Sequence, residues 1–302
     1  MKFRLALWWR AIRPFAYPAS IIPAFLGIAL AWAGGYEINH YFAIITIIGA
    51  VAVHTASNLL SDYFDFKKGI DRSGTYGGSG VLVENLLQPR DILFASLLFY
   101  FISACVALFL IYFVGIKLIW IILVGLIAGV FYSMPPFGFK YGAIGELVVM
   151  IAFGVGITLG SYFVQTGQYS MIPVWHSIPF GLLVAAILNA NNLRDLEDDV
   201  EVDVKTLAVM VGLNRARFVY GGFVFMAYAL VIFFVAHGEM LTGSLACLLS
   251  LPLAANLVFN VWKAPYVSKE ELNISVERTA QLSLAFGITM ILGIAIWERM
   301  IL

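Results

Sequence analysis

The chain has 302 residues, of which 62% are hydrophobic and 12% charged, and its mean hydropathy is +0.92. A soluble domain of this length could not bury so much apolar surface, because average globular chains carry about 25% charged residues. The composition therefore predicts an integral membrane protein. The formal net charge of zero indicates neither a nucleic-acid nor a protein partner. No disulfide is expected, since Cys105 and Cys247 both lie in apolar segments.

The first fifteen residues, MKFRLALWWRAIRPF, are not expected to form a cleavable signal peptide. Their apolar residues are interrupted by Arg4, Arg10 and Arg13. Trp8 and Trp9 are typical of a helix that lies at the membrane interface.

Nine segments are apolar enough to cross a bilayer, which needs about 20 residues per helix. Gly115 and Lys117 divide one long apolar run into two helices, and Pro135-Pro136 ends the second of them. Pro173 and Pro179 obscure the start of the sixth segment. The predicted spans are residues 14–34, 41–60, 92–114, 116–135, 143–164, 173–191, 218–236, 241–262 and 279–297.

The basic residues indicate the orientation of these spans. If the N-terminus and every second loop share one side, that side holds sixteen of the eighteen Lys and Arg residues, and only Lys117 and Arg299 lie opposite. This bias predicts a cytoplasmic N-terminus and an external C-terminus. Fifteen of the eighteen carboxylates also fall on the cytoplasmic side. Orientation does not require that excess, so this side is expected to carry the active surface.

The second span ends in SNLLSDYFDFKKGID, where polar groups follow about twenty apolar residues. Asn58, Asp62 and Asp65 are four and three positions apart and so share one helix face. Carboxylates at this depth need a compensating charge.

A second acidic stretch, NANNLRDLEDDVEVDVKTLAV, begins at Asn189 after the sixth span. Asn191 and Asp195 each lie 133 residues after Asn58 and Asp62, and Asp199 follows one turn later. The two stretches are four spans apart and therefore share an orientation. We expect half-repeats over about 14–135 and 143–262, related by an axis along the membrane normal, with a ninth helix at 279–297.

Two such acidic faces would repel each other unless divalent cations lay between them. Ligands that are all oxygen suit Mg²⁺, which commonly bridges carboxylates to a substrate phosphate. We therefore predict a site for two or more Mg²⁺ ions at Asp62, Asp65, Asp195 and Asp199. The alternative, that these acids are solvated helix ends, explains one cluster but not two matched ones.

Cationic side chains beside both motifs fit the binding of a diphosphate. Lys67, Lys68 and Arg72 follow the first motif, although positive-inside sorting also accounts for the two lysines. Arg194 and Lys205 bracket the second. The glycine-rich segment 69–84 could fold over the site as a lid or serve as a flexible connection.

These motifs resemble those of the UbiA superfamily of membrane prenyltransferases. The resemblance rests on Asn58-x-x-x-Asp62 with Asp65, and on Asn192-Leu193-Arg194-Asp195-x-x-x-Asp199 followed by Lys205-Thr206-Leu207. RPFAYPASIIPAFLG (13–27) and YSMPPFGFKYGAIGE (132–146) resemble other segments of the family. Many members have a further aspartate where this chain has Phe66, which makes Asp65 a less secure metal ligand than Asp62.

The resemblance implies an all-α bundle of about nine transmembrane helices around a central cavity that is capped on the cytoplasmic side. The implied reaction is the Mg²⁺-dependent transfer of a polyprenyl group from its diphosphate to an acceptor. YGGSGVLVENLLQPRDI (76–92) resembles the branch that prenylates dihydroxynaphthoate in menaquinone synthesis, which predicts an aromatic acceptor. The same chemistry on geranylgeranylglyceryl phosphate, hydroxybenzoate or haem stays open.

Individual roles follow as hypotheses. Asn58, Asn191 and Asn192 would orient the diphosphate, Arg194 would stabilise the leaving group, and Tyr132 would face the allylic cation. Lys140 is expected to contact the diphosphate, with a plain loop lysine as the alternative. His54 lies one turn before Asn58, where it could contact the acceptor or simply pack through a hydrogen bond.

Two classes of membrane protein that lack this activity could also carry carboxylates near the membrane surface. An ion-coupled transporter would distribute ionisable groups along the depth of the membrane and on both sides. In this chain they concentrate at one end. A lipid-binding module with decayed catalysis is disfavoured because both acidic motifs are intact.

Overall fold

A computed structural model describes residues 2–263 and 268–301. The described residues contain helices and no strands. The helices are α1 (Lys2–Ile12), α2 (Pro18–Ala33), α3 (His40–Lys67), α4 (Pro89–Val114), α5 (Ile119–Phe131), α6 (Gly145–Val149), α7 (Ile157–Thr166), α8 (Ile172–Arg194), α9 (Leu196–Glu201), α10 (Leu207–Val211), α11 (Leu213–Ala236), α12 (Leu251–Trp262) and α13 (Lys269–Ile301).

Short 3₁₀ or π-helical segments extend several of these helices into longer rods. The 3₁₀ turns Pro14–Ala16, Ile116–Leu118 and Thr242–Ser250 lead into α2, α5 and α12, and a π-helical stretch, Met150–Gly156, joins α6 to α7. A further 3₁₀ turn, Phe139–Tyr141, lies in the connection between α5 and α6.

The prediction of a helical membrane bundle is confirmed, and the described helices can be compared with the nine predicted spans. Seven of the described helices are long and apolar enough to cross a membrane. An eighth forms only if α1 and α2, which meet at 50°, count as one bent span. The segment Ile116–Phe131 is apolar but short, because Gly115 interrupts the run before it and the chain turns after Tyr132.

The helix that carries the first acidic motif runs farther than its apolar residues indicate. The predicted span covered residues 41–60, and α3 continues to Lys67, so that Asp62 and Asp65 are buried in its last two turns. Both carboxylates have cationic partners, Arg13 and Lys140, so the helix can stay buried through this acidic end.

The main core joins α2, α8, α11 and α13 through large buried side chains that include Phe180, Tyr220 and Phe286. A second cluster packs α1 against the loop after α3, through Ala11, Val81 and Leu82. By contrast, α4 packs mainly on α3 and exposes most of its surface, as a lipid-facing helix does.

Candidate active site

One cavity of about 830 Å³ reaches both acidic motifs. Its wall is formed by α3, α4, α5, α7 and α8, together with the loops at the end where α3 and α8 finish. The polar residues that line this end are Arg13, Asn58, Ser61, Asp65, Asp71, Tyr76, Tyr132, Lys140, Tyr141, Asn191, Asn192, Arg194, Asp195, Asp199, Thr206, Asn273 and Glu277. The structure therefore brings residues of both motifs to the wall of one chamber.

Asp65 is the best-partnered carboxylate of the first motif. It accepts hydrogen bonds from Lys140 Nζ at 2.5 Å, Tyr141 Oη at 2.8 Å and Ser61 Oγ at 3.1 Å. Burial alone would lower the pKa of the Lys140 ammonium, but the carboxylate of Asp65 outweighs it and raises that pKa. Lys140 is therefore a charged member of the site, not a plain loop lysine.

Asp62 and Asp65 differ in whether their side chains reach the cavity. Asp62 is buried, pairs with the guanidinium of Arg13 and accepts a hydrogen bond from Ser79 N at 3.1 Å. It stands behind the cavity wall, whereas Asp65 lines the cavity. Arg13 reaches it from a left-handed backbone conformation, with φ of 53°. Of these two carboxylates, Asp65 is therefore the one that a ligand in the cavity would reach.

Asp71 is a cavity carboxylate that the sequence reasoning missed. It lies in the loop after α3, and its carboxylate packs against the backbone of Gly77 and Gly78. Burial, and next the charge of Asp65, raise the pKa of Asp71 to about 7. The available signal was Gly69-Ile70-Asp71 at the end of the first motif, but a residue in a loop follows no helical periodicity.

The second motif contributes Asp195 and Asp199. Arg194 donates to both oxygens of Asp195, at 2.7 and 2.6 Å, and to Asn273 Oδ1 on α13 at 2.6 Å. Burial, and next the charge of Asp195, raise the pKa of Asp199 to about 7. The neighbouring Asp198 points away from the cavity, and its Oδ1 lies 3.1 Å from Lys269 Nζ.

A buried amide cluster supports the second motif from behind. Glu146 Oε1 accepts hydrogen bonds from Asn192 Nδ2 at 3.0 Å and from Asn189 Nδ2 at 3.3 Å. All three side chains are buried, and Glu146 Oε2 has no partner in the described structure. The sequence showed Glu146 only as the last residue of a family segment, so its contact with Asn192 could not be anticipated.

Four predicted diphosphate ligands lie outside the cavity wall. Lys205 is largely exposed and lies 3.6 Å from Asp203, while Arg72 pairs with Glu201. Lys67 is exposed at the end of α3. Lys68 is exposed as well, but its Nζ lies 3.5 Å from the centre of the Tyr141 ring, beside Asp65. The positive-inside rule is enough to explain the positive charge of Lys67. Arg72 and Lys205 form ion pairs at the surface.

The donor set of the cavity fits a divalent cation that is shared with a ligand. Among the described residues, no three His, Cys, Asp or Glu side chains converge closely enough to hold a metal ion by themselves. Five carboxylates nevertheless line the cavity (Asp65, Asp71, Asp195, Asp199 and Glu277) against three cations (Arg13, Lys140 and Arg194). This oxygen-rich surplus of negative charge suits Mg²⁺ that also binds phosphate oxygens.

Comparisons with known proteins agree with this architecture. The UbiA prenyltransferase family model matches residues 20–279. UbiA prenyltransferase domain-containing protein 1 of Homo sapiens is 32% identical over 287 residues, which cover 94% of this chain and 82% of that protein. The corresponding protein of Xenopus tropicalis is 31% identical over 297 residues, with coverage of 98% and 83%.

Two solved structures share the fold at 16% sequence identity. A UbiA homologue from Archaeoglobus fulgidus bound to GPP and Mg²⁺ superposes with a TM-score of 0.66, covering 94% of this chain and 99% of that one. The apo UbiA homologue from Aeropyrum pernix K1 gives 0.70, covering 93% and 97%. The chain therefore belongs to the UbiA prenyltransferase family of membrane enzymes, which transfer alkyl groups.

Proposed function

We propose that the protein transfers a polyprenyl group from an isoprenoid diphosphate to an aromatic acceptor, most specifically 1,4-dihydroxy-2-naphthoate, with the help of Mg²⁺. One observation carries the proposal: a single cavity joins four carboxylates from two matched motifs to a long apolar chamber. Such a cavity offers one end to a metal-bound diphosphate and the other to a hydrocarbon. The relative bound to GPP and Mg²⁺ supports the choice of ligands.

The residues that would hold Mg²⁺ are Asp65, Asp71, Asp195 and Asp199, with Asp62 holding Arg13 behind them. Bound there with the diphosphate, the metal would neutralise charge on the leaving group. Lys140 and Arg194 line the same end, where they would donate to diphosphate oxygens, and Asn58, Asn191 and Asn192 line it beside them. Asn58 Nδ2 is buried without a partner in the described structure, so it has a donor free for a ligand oxygen.

The chain's own groups can support the bond changes. The allylic C–O bond breaks and its electron pair leaves with the diphosphate, which Lys140 and Arg194 stabilise. A ring carbon of the acceptor then bonds to the allylic carbon and gives up a proton to an oxygen of the released diphosphate, or loses CO₂ where that carbon carries a carboxylate group. Tyr132 lines the cavity, where its ring would stabilise the cation, and the apolar walls would exclude water.

An aromatic acceptor is favoured by the ring-rich wall near His54. The His54 ring lies 4.7 Å from the Phe153 ring and 5.8 Å from the Tyr17 ring, and both His54 and Phe153 line the cavity. Ser20 Oγ lies 2.6 Å from His54 Nδ1 and fixes the imidazole. A planar acceptor can stack in such a place, whereas a glycerol phosphate gains little there. The resemblance of residues 76–92 to the dihydroxynaphthoate branch points the same way.

The decisive experiment incubates purified protein with geranylgeranyl diphosphate, Mg²⁺ and a panel of acceptors, and identifies products by mass. The panel contains dihydroxynaphthoate, hydroxybenzoate, geranylgeranylglyceryl phosphate and haem. We expect the prenylated naphthoate product, its loss with EDTA and its recovery with Mg²⁺. Transfer to glycerol phosphate alone would refute the aromatic acceptor, and activity unaffected by EDTA would refute the metal assignment.

We further propose that the protein lies in the cell membrane with the carboxylate end of the cavity on the cytoplasmic side. The excess of Lys and Arg in the loops at that end supports this orientation. The same face holds both acidic motifs, so a water-soluble diphosphate head would approach from the cytoplasm.

A further inference from the structure

Tyr141 is a cavity residue that the proposed function leaves without a role. It ends the 3₁₀ turn Phe139–Tyr141 and lines the cavity next to Lys140. Its hydroxyl donates to Asp65 Oδ1 at 2.8 Å. Its backbone carbonyl accepts a hydrogen bond from Lys205 N at 3.1 Å. Tyr141 therefore contacts the first acidic motif through its side chain and the segment after the second motif through its backbone.

The three donors at Asp65 are divided unevenly between its two carboxylate oxygens. Oδ2 accepts from Lys140 Nζ at 2.5 Å and from Ser61 Oγ at 3.1 Å. Oδ1 accepts only from Tyr141 among the described residues. Each carboxylate oxygen offers about two lone pairs to donors, so Oδ2 is saturated and Oδ1 keeps one lone pair. Because Asp65 lines the cavity, Oδ1 is the oxygen that can still bind a cation there.

Neighbouring groups hold the ring of Tyr141 in place. Lys68 Nζ lies 3.5 Å from the centre of the ring, close enough for a cation–π attraction. Gly138 packs so closely against the same ring that a Cβ at Gly138 would lie 2.7 Å from Tyr141 Cδ2. These contacts restrict the ring, so the fold sets the position of the hydroxyl that donates to Asp65.

The backbone contact of Tyr141 extends to the second motif. Lys205 N donates to the carbonyl of Tyr141, and the next residue, Thr206, has its Oγ1 3.5 Å from Asp199 Oδ2. Asp65 and Asp199 both line the cavity. Tyr141 thus connects these two carboxylates through its own side chain and the segment Lys205–Thr206, and a displaced Tyr141 would change the spacing between them.

We propose that Tyr141 is a positioning residue, which fixes Asp65 Oδ1 for a divalent cation shared with the diphosphate, and that Lys68 acts on the site through the Tyr141 ring. The inference rests on the proposed function, because it concerns the same cation site. The hydroxyl already donates to Asp65, so Tyr141 is not expected to supply a proton to the reaction. Removing a group that orients a metal ligand commonly lowers metal affinity about 10- to 100-fold.

Tyr141→Phe removes the hydroxyl and keeps the ring. Purified protein is titrated with Mg²⁺ in the presence of geranylgeranyl thiolodiphosphate, an unreactive analogue of the donor, and Tm is measured at each concentration. We expect the Mg²⁺ concentration that gives half of the rise in Tm to increase at least about tenfold. The control is Tyr220→Phe, which loses a hydrogen bond of the same length, 2.8 Å to Thr279 Oγ1, outside the cavity. It should lower the starting Tm and leave the Mg²⁺ midpoint as in wild type.

Variants of Lys68 test the cation over the ring. Lys68→Met should raise the Mg²⁺ midpoint about threefold, the scale of one exposed cation–π contact. Lys68→Arg should restore the wild-type midpoint, because a guanidinium can also lie over an aromatic ring. Lys263→Met is the control, since Lys263 Nζ lies 4.3 Å from the centre of the Phe259 ring, outside the cavity. It should titrate as wild type does.

Kinetics separate positioning from direct catalysis. At saturating Mg²⁺, Tyr141→Phe should recover kcat to within about twofold of wild type, because the variant loses affinity and not a reacting group. A kcat that stays low at saturating Mg²⁺, or a Mg²⁺ midpoint equal to that of wild type, would overturn the inference. A shifted midpoint supports it even if no acceptor in the panel is prenylated, in which case only the proposed acceptor fails. A wild type whose Tm does not respond to Mg²⁺ would refute the cation site and this inference together.

Discussion

The carboxylates of the site differ in how their charge is balanced. Asp62 is paired with Arg13, Asp65 with Lys140 and Asp195 with Arg194, whereas Asp71 and Asp199 have no cationic partner among the described residues. Burial leaves both unpaired acids with a pKa raised to about 7. These two residues therefore have the most to gain from a bound cation, and they offer the sharpest single-residue test.

Replacing Asp71 or Asp199 with Asn should lower prenyl transfer about 100-fold, the scale found when one charge-stabilising group is removed from an active site. The same variants should show a smaller rise in Tm on addition of Mg²⁺ than wild type. Asp203→Asn is the control, because Asp203 lies in the same acidic segment but is largely exposed. An Asp71→Asn protein with full activity and an unchanged response to Mg²⁺ would contradict the assignment.

Glu146 permits a test of positioning without touching the cavity. Glu146→Gln keeps the acceptor for Asn192 and Asn189, so we expect wild-type stability and activity within a few-fold. Glu146→Leu leaves two buried amides without that partner and should destabilise the protein by about 2 kcal/mol. Thermal unfolding in detergent measures the change in stability of both variants. A KM for the diphosphate raised in the Leu variant alone would show that Asn192 has moved, and equal behaviour of the two variants would contradict the positioning role.

At the scale of elements, the loop between α3 and α4 acts as part of the cavity wall. It supplies Asp71, Tyr76, Gly77 and Gly78 to the lining, and Ser79 N donates to Asp62. Its other end is fixed to α1 by the ion pair of Arg10 with Glu84 and by apolar packing around Val81. The glycine-rich segment therefore packs over the first motif. This position is the one expected if the segment acts as a lid.

The packing of this loop against Asp71 and Asp62 can be tested at Gly78. Its φ of 61° disfavours any side chain, and a Cβ there would press on the carboxylate of Asp71 and lie 3.2 Å from Asp62 Oδ1. We expect Gly78→Ala to lower activity about tenfold or more, because it displaces groups that must be placed to within about 1 Å. Gly74→Ala is the control, since Gly74 has φ of 92° but open space around it.

Both alanine variants incur the backbone cost of a positive φ, about 1–3 kcal/mol. Their difference in kcat, at matched Tm, therefore isolates the contact with Asp71. Equal activities would show that the loop yields to the added methyl group.

The sequence could predict the relative positions of residues in helices, because side chains on one helix face recur at a regular spacing. Helical spacing located Asn58, Asp62 and Asp65 on one face and matched them to Asn191, Asp195 and Asp199. Five of these six residues line one end of the cavity, while Asp62 lies behind its wall. Spacing could not show that Asp62 pairs with Arg13 behind the cavity wall, because Arg13 lies 49 residues before Asp62 in the chain. Nor could it find Asp71, whose position depends on the fold of a loop. The internal duplication itself stays a prediction.

At the scale of the whole molecule, both signs of charge gather at one end of an otherwise apolar bundle. The carboxylate end of the cavity, the loop after α3 and the segment from α9 to α10 all lie there. The opposite end carries few ionisable groups among the described residues, which include Glu37, Lys117 and Glu239. This asymmetry argues against an ion pathway across the membrane, since such a pathway would distribute ionisable groups along its depth.

The orientation can be tested with two single cysteines. Ser73 is exposed in the loop that covers the carboxylates, and Glu239 is exposed between α11 and the turn before α12, at the opposite end. Ser73→Cys and Glu239→Cys would be placed in a Cys105→Ala background, because Cys105 is exposed whereas Cys247 is buried. A membrane-impermeant maleimide is then added to right-side-out and inside-out vesicles.

We expect Ser73→Cys to react only in inside-out vesicles and Glu239→Cys only in right-side-out ones, because the positive-inside rule predicts a cytoplasmic position for the face that is rich in Lys and Arg. Detergent should make both sites reactive, which shows that each thiol is accessible in the folded protein. Prenyl transfer by the Ser73→Cys protein then serves as a second measure of sidedness. If the maleimide slows transfer in inside-out vesicles alone, the labelled loop and the diphosphate site share the cytoplasmic face, whereas labelling of Ser73→Cys from outside would reverse the orientation.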